Sequence, residues 1–147
     1  MENATVDVFI SYSKQSPSPT HELAEALQKR GLKVWWDTDL LPGEKFEDAL
    51  KNQLDNAKAV IVIWTAQSVA SDWVKWEAAI AFQQRKLITT KFTLNFEELP
   101  EPFRGHHTVD VTDTNEVIAA LRRLDLQPKL TLDEFVSDLA KKIPQLN

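Results

Sequence analysis

The chain has 147 residues, 43% of them hydrophobic, enough for one compact domain with its own core. Its net charge of −5 supplies no basic surface for nucleic-acid phosphates, and the absence of cysteine excludes disulfides, thiolate zinc sites and thiol catalysis. No apolar run approaches the roughly 20 residues that span a bilayer, and Met1 to Thr5 lack the basic and apolar regions of a signal peptide. A soluble cytoplasmic domain with no membrane partner is expected.

Val6 to Ile10 is a short apolar run ending in Ser11-Tyr12-Ser13, the pattern of a buried strand feeding a polar turn. Ser16 to Thr20 carries loop chemistry, and from Thr20 to Arg30 the apolar Leu23, Ala24 and Leu27 recur at helical spacing. Gly31, able to take positive φ, stops that helix. Leu32 to Trp36 reads as a second strand, and Thr38 to Glu44 as a polar loop around the turn dipeptide Pro42-Gly43. Phe46, Leu50, Leu54 and Ala57 define the next helix. Ala59 to Trp64 is continuously apolar, as in a strand covered on both faces. A helix from Trp73 to Gln84 follows.

Leu87 to Phe92 is a fourth strand, weakened by its threonines and Lys91. Residues 95–107, with Pro100 and Pro102, are irregular, and Thr108 to Val111 forms a short fifth strand. Asp113-x-x-Glu116 and Thr131-x-x-Glu134 resemble capping boxes, the first opening a helix to Arg123. The second opens a helix whose apolar stripe is Leu132, Phe135, Val136, Leu139 and Ile143. Strands alternating with helices imply an α/β parallel sheet with helices on both faces. Ligands in such sheets bind beyond the carboxyl ends of the strands, here at Ser11 to Ser18, Asp37 to Lys45, Thr65 to Asp72 and the loop after Phe92.

Trp73 and Glu77 are four residues apart, so a helix sets an indole and a carboxylate on one face. At the mouth of a sheet that pair suits a ring-bearing ligand, although the same spacing also describes an ordinary core-and-surface pair. Other site chemistries find no support. The three glycines, Gly31, Gly43 and Gly105, cannot form a phosphate-cradling loop, and there is no Gly-x-Ser-x-Gly elbow. A phosphoacceptor receiver domain wants acids after the first strand and an aspartate after the third, where Ser11 and Thr65 stand. His21, His106 and His107 have no ligand spacing with acids; the pair reads as a solvated loop and no metal site is expected.

Three segments in order carry a family resemblance. The first is Asp7-Val8-Phe9-Ile10-Ser11-Tyr12-Ser13. The second is Gly31-Leu32-Lys33-Val34-Trp35-Trp36-Asp37 with Leu40-Leu41-Pro42-Gly43-Glu44. The third is Ala59 to Thr65, then Ser68, then Ser71-x-Trp73-x-x-x-Glu77. Together they resemble a TIR (Toll/interleukin-1 receptor) domain of the bacterial type over residues 5–124, within a domain of 1–125; residues 126–147 read as a helical extension or the start of a linker. The resemblance implies a flavodoxin-like three-layer sandwich around a five-stranded parallel sheet. It also implies an NAD+ nucleosidase that releases nicotinamide with ADP-ribose or a cyclic variant, in defence or immune signalling. NAD+ is then substrate, with no cofactor. The alternative is a non-enzymatic TIR–TIR adaptor module, of the kind that mimics host adaptors.

Under the enzymatic reading the resemblance places the catalytic glutamate at Glu77. Trp73 offers an aromatic surface, Ser11, Tyr12 and Ser13 polar groups from the first loop, and Trp36 and Asp37 a border. Leu41, Pro42 and Gly43 form a movable wall, called the BB loop, through which self-association is expected; Ser68 joins the binding set. A sensor domain or partner protein is a further implied partner. Plain structural readings stand beside these. Trp35 and Trp36 point to opposite strand faces, so at least one belongs to the core. Trp76 reads as packing, Asp37 as a turn cap, and Ser11 to Ser13 as a polar strand end.

Overall fold

The computed structural model describes residues 6–14, 19–36, 46–129 and 132–142. Its elements run β1 (Val8–Ser11), α1 (Thr20–Lys29), β2 (Val34–Trp35), α2 (Phe46–Asn56), β3 (Ala59–Trp64), α3 (Asp72–Gln83), β4 (Leu87–Lys91), β5 (Thr108–Asp110), α4 (Thr114–Arg123) and α5 (Leu132–Lys142). Single 3₁₀ turns at Ser68–Ala70, Phe96–Glu98 and Phe103–Gly105 fill the longer connections. The strands form one parallel sheet in the order β2-β1-β3-β4-β5. This is the expected α/β architecture.

The central strand β3 explains the layering. Alternate residues leave a strand on opposite faces. Val60, Val62 and Trp64 therefore enter one core with Leu50, Leu54, Val74, Ala78 and Ala81 from α2 and α3. Ala59, Ile61 and Ile63 enter the other, with Leu23 and Leu27 of α1 and Val117, Ile118 and Leu121 of α4. All six residues of β3 are buried. Trp35 and Trp36 divide in the same way. Trp35 is buried and stacks on Phe9 at 5.0 Å between ring centroids, while Trp36 packs against the α1/α4 face.

Two boundaries shift for physical reasons. β1 begins later than its apolar run and takes in Ser11, whose backbone pairs with Val62 although its side chain is polar. β2 has only two residues, because as an edge strand it meets β1 alone, in two register pairs. The threonines of β4 do not weaken it: Thr90 Oγ1 donates to the Val62 carbonyl at 2.9 Å, and the hydroxyls of Thr89 and Thr108 bond each other at 2.8 Å. Gly31 takes φ +86° behind α1, and Asp113 caps α4 by accepting the Glu116 N–H.

Lys86 ties α2 to the start of β4. Its buried Nζ donates to the carbonyls of Leu54, Asp55 and Ala57 at 2.7, 3.2 and 2.8 Å, covering groups that a helix end leaves unpaired. Lys86→Met removes these charge-assisted bonds and is expected to cost about 2–3 kcal/mol in urea denaturation. Burial lowers the Lys86 pKa below its ordinary 10.5, with the Asp55 charge opposing. Between the folded value and 10.5 the unfolded chain binds more protons, so the Lys86 contribution rises with pH through that window. The stability gap between the wild type and Lys86→Met should therefore widen toward alkaline pH; a gap that narrows would mean that the three carbonyl bonds outweigh burial and hold the ammonium in the folded state.

Candidate active site

The strand order reverses between β1 and β3: β1 leads outward to β2, and β3 leads the other way to β4. A crevice opens beyond the carboxyl ends of strands at such a point. Here it is a cleft of about 600 Å³. Tyr12, Ser13 and Lys14 line it from the segment after β1, Ala66, Gln67 and Ala70 from the segment after β3, and Ser71, Trp73 and Val74 from the start of α3.

Local chemistry fixes where α3 begins. The Ser71 hydroxyl accepts the Val74 N–H at 3.2 Å, an N-cap that sets the phase of the helix. With that phase Val74, Glu77, Ala78 and Ala81 face inward. Trp73 stands half-buried in the cleft wall. Glu77, one turn on, lies deeper and is only 3% exposed. Its Oε1 accepts a hydrogen bond of 2.7 Å from the Ser11 hydroxyl, across 66 residues of sequence. Ser11 is itself 2% exposed. A buried carboxylate costs several kcal/mol unless hydrogen bonds replace its water, and Ser11 supplies one.

The expected site residues separate into three groups. Ser11, Tyr12, Ser13, Trp73 and Glu77 come together at this edge, with Ser11 against the glutamate rather than in the cleft lining. Ser68 and Trp36 are not among the residues that line the cleft. The Ser68 hydroxyl is fully buried, donating to the Ile63 carbonyl at 2.9 Å and accepting the Thr65 N–H at 2.7 Å, bonds that shape the turn after β3. Trp36 packs on the opposite face of the sheet, edge-on to His21 at 6.3 Å, and does not line the cleft. Asp37, Leu41, Pro42 and Gly43 lie outside the described residues.

Trp76 is 39% exposed and packs against Trp73, its ring tilted at 5.1 Å between centroids. Lys14, Gln67 and Ser71 line the cleft without having been singled out, although the strand-end rule had marked their segments. Among the described residues no group of three or more His, Asp or Glu is placed to hold a metal, and no helix is long and apolar enough to cross a membrane.

Comparison with known proteins bears on this geometry. The chain is 33% identical over 106 residues to the protein named NAD(+) hydrolase tir-1 of Caenorhabditis elegans, covering 66% of this chain and 11% of that protein. It is 23% identical over 143 residues to the probable 2′ cyclic ADP-D-ribose synthase TcpO of Methanobrevibacter olleyae, covering 93% of this chain and 38% of that protein. The chain thus spans well under half the length of either relative. The crystal structure of the TIR domain of the Toll-related receptor TRR-2 from Hydra magnipapillata superposes with a TM-score of 0.67 at 20% identity, covering 82% of this chain and 95% of that one. The model of the TIR domain family matches residues 8–124, the whole span from β1 to the end of α4, and this chain belongs to that family.

Proposed function

We propose that this domain cleaves the nicotinamide–ribose bond of NAD+, with Glu77 as its catalytic carboxylate and self-association as its activator. The observation that carries this reading is the buried glutamate. An alanine or leucine on the inner face of α3 would pack at no desolvation cost. The chain instead keeps a carboxylate there, held by Ser11 beside an aromatic-walled cleft. Such local costs concentrate at functional sites. The names of the two relatives support the substrate class.

The chemistry suits the residues. The bond from ribose C1′ to the pyridinium nitrogen breaks with its electron pair going to nitrogen. Nicotinamide leaves neutral and needs no general acid. Positive charge develops on the ribose as an oxocarbenium ion, which a nearby carboxylate stabilises. Water then adds at C1′ and releases a proton, giving ADP-ribose; attack by a group of the same nucleotide gives a cyclic product instead. No cofactor is consumed. Trp73 offers a ring surface worth about 0.5–1.5 kcal/mol beyond area burial, and Lys14 brings a cation suited to a pyrophosphate.

The test is chromatography of NAD+ incubated with the purified chain over a wide range of protein concentration. Nicotinamide release that rises faster than linearly with protein is the expected result, since only assembled copies would carry competent sites. A folded protein that releases none at any concentration returns the chain to the interaction-module reading.

A further inference from the structure

At the opposite end of the strands lies a second hollow, of about 670 Å³. It forms where α3 and α4 end and where β4 and β5 begin. Its floor is apolar, with Ile88 and Val109 from the two strands. Its rim carries two cations, Arg85 on the α3 side and Arg123 on the α4 side, with His106 and His107 before β5. Among the described residues no carboxylate lines it, in a chain whose net charge is −5.

Two features of the rim run against packing alone. Phe82 is 45% exposed although it is a large aromatic, and the His106 ring holds it edge-on at 4.9 Å between centroids. Arg85, just past the α3 C-cap, and Arg123, at the end of α4, are both exposed, so two arginines share the rim of one hollow.

We propose that this hollow is a second ligand site, for a small phosphate monoester carried on a planar ring. The ring fits against Phe82 and the apolar strand residues. The phosphate fits the two guanidinium groups, whose forked donors match its oxygens, with the imidazole N–H groups beside them. The site stands independently of the NAD+ reading, because the hollow shares no lining residue with the cleft at the carboxyl edge.

The experiment is amide NMR titration of the whole chain with phenyl phosphate, with phenol and inorganic phosphate as separate arms. The expected result is saturable shifts clustered at residues 82–89 and 106–124. Both half-ligands should bind more weakly than phenyl phosphate. Arg123→Gln and Arg85→Gln should each weaken phenyl phosphate about tenfold, the loss typical of one charge-assisted hydrogen bond. Both arginines are exposed, so dispersed spectra are expected from the variants. Shifts confined to residues 11–14 and 66–77, equal binding of inorganic phosphate, or binding indifferent to both substitutions would each overturn the site.

Discussion

Glu77→Gln is expected to lower nicotinamide release from NAD+ by at least about 10²–10³-fold, the scale of losing one preorganised charge-stabilising group. The fold should survive. Glutamine is isosteric with glutamate, and its carbonyl oxygen can still accept the Ser11 hydroxyl that now bonds Oε1. It also relieves the desolvation of a charge that is only 3% exposed, so thermal unfolding should shift little or move upward. What the variant cannot do is place negative charge beside a developing oxocarbenium ion. Kinetics and melting measured on the same preparation separate these effects. A Glu77→Gln protein that turns over NAD+ within a few-fold of wild type would remove the carboxylate from the mechanism. One that melts far lower would show that Glu77 is held for stability instead.

The site was legible in proportion to how local its signals are. The strand Ala59–Trp64 announces itself because both faces are covered and every residue is apolar. The Trp73–Glu77 pair is legible because four residues span one helical turn. The contact between Ser11 and Glu77 is not, because it joins residues 66 apart and depends on β1 lying beside β3 beneath α3. Alternating strands and helices imply a parallel sheet but not which strands are neighbours. Trp36 was expected with Asp37 at the pocket border; strand alternation sets its ring against the α1/α4 core, the same core that Tyr12 of the cleft lining packs on. Ser68 shows a third limit: a serine at a strand end is equally suited to a ligand and to its own backbone, and here the Ile63 carbonyl wins. Lys86 carries no local signal in sequence, because it is buried as the cap of a helix that ends 30 residues earlier.

Ser11→Ala should then expose how the carboxylate is held. Alanine fits the ladder position opposite Val62 without strain, so the backbone of β1 should remain intact. The loss is the 2.7 Å donor to a buried carboxylate, and a hydrogen bond to a charged group is worth about 1.5–3 kcal/mol. Unfolding in urea should reveal a destabilisation of that order. Because Ser11 is 2% exposed and bonds Glu77 rather than lining the cleft, its catalytic effect runs through the orientation of the glutamate. The expected signature is a fall in kcat of about tenfold or more with KM nearly unchanged, since the missing interaction supports the transition state and not ground-state binding. The double-mutant cycle completes the argument. In a Glu77→Gln background, removal of the Ser11 hydroxyl takes a donor from a neutral acceptor instead of a charged one, so its stability cost should shrink to about 1 kcal/mol. Additive costs in that cycle, or a KM that rises while kcat holds, would mean that Ser11 meets the substrate directly and that Glu77 is oriented by other contacts.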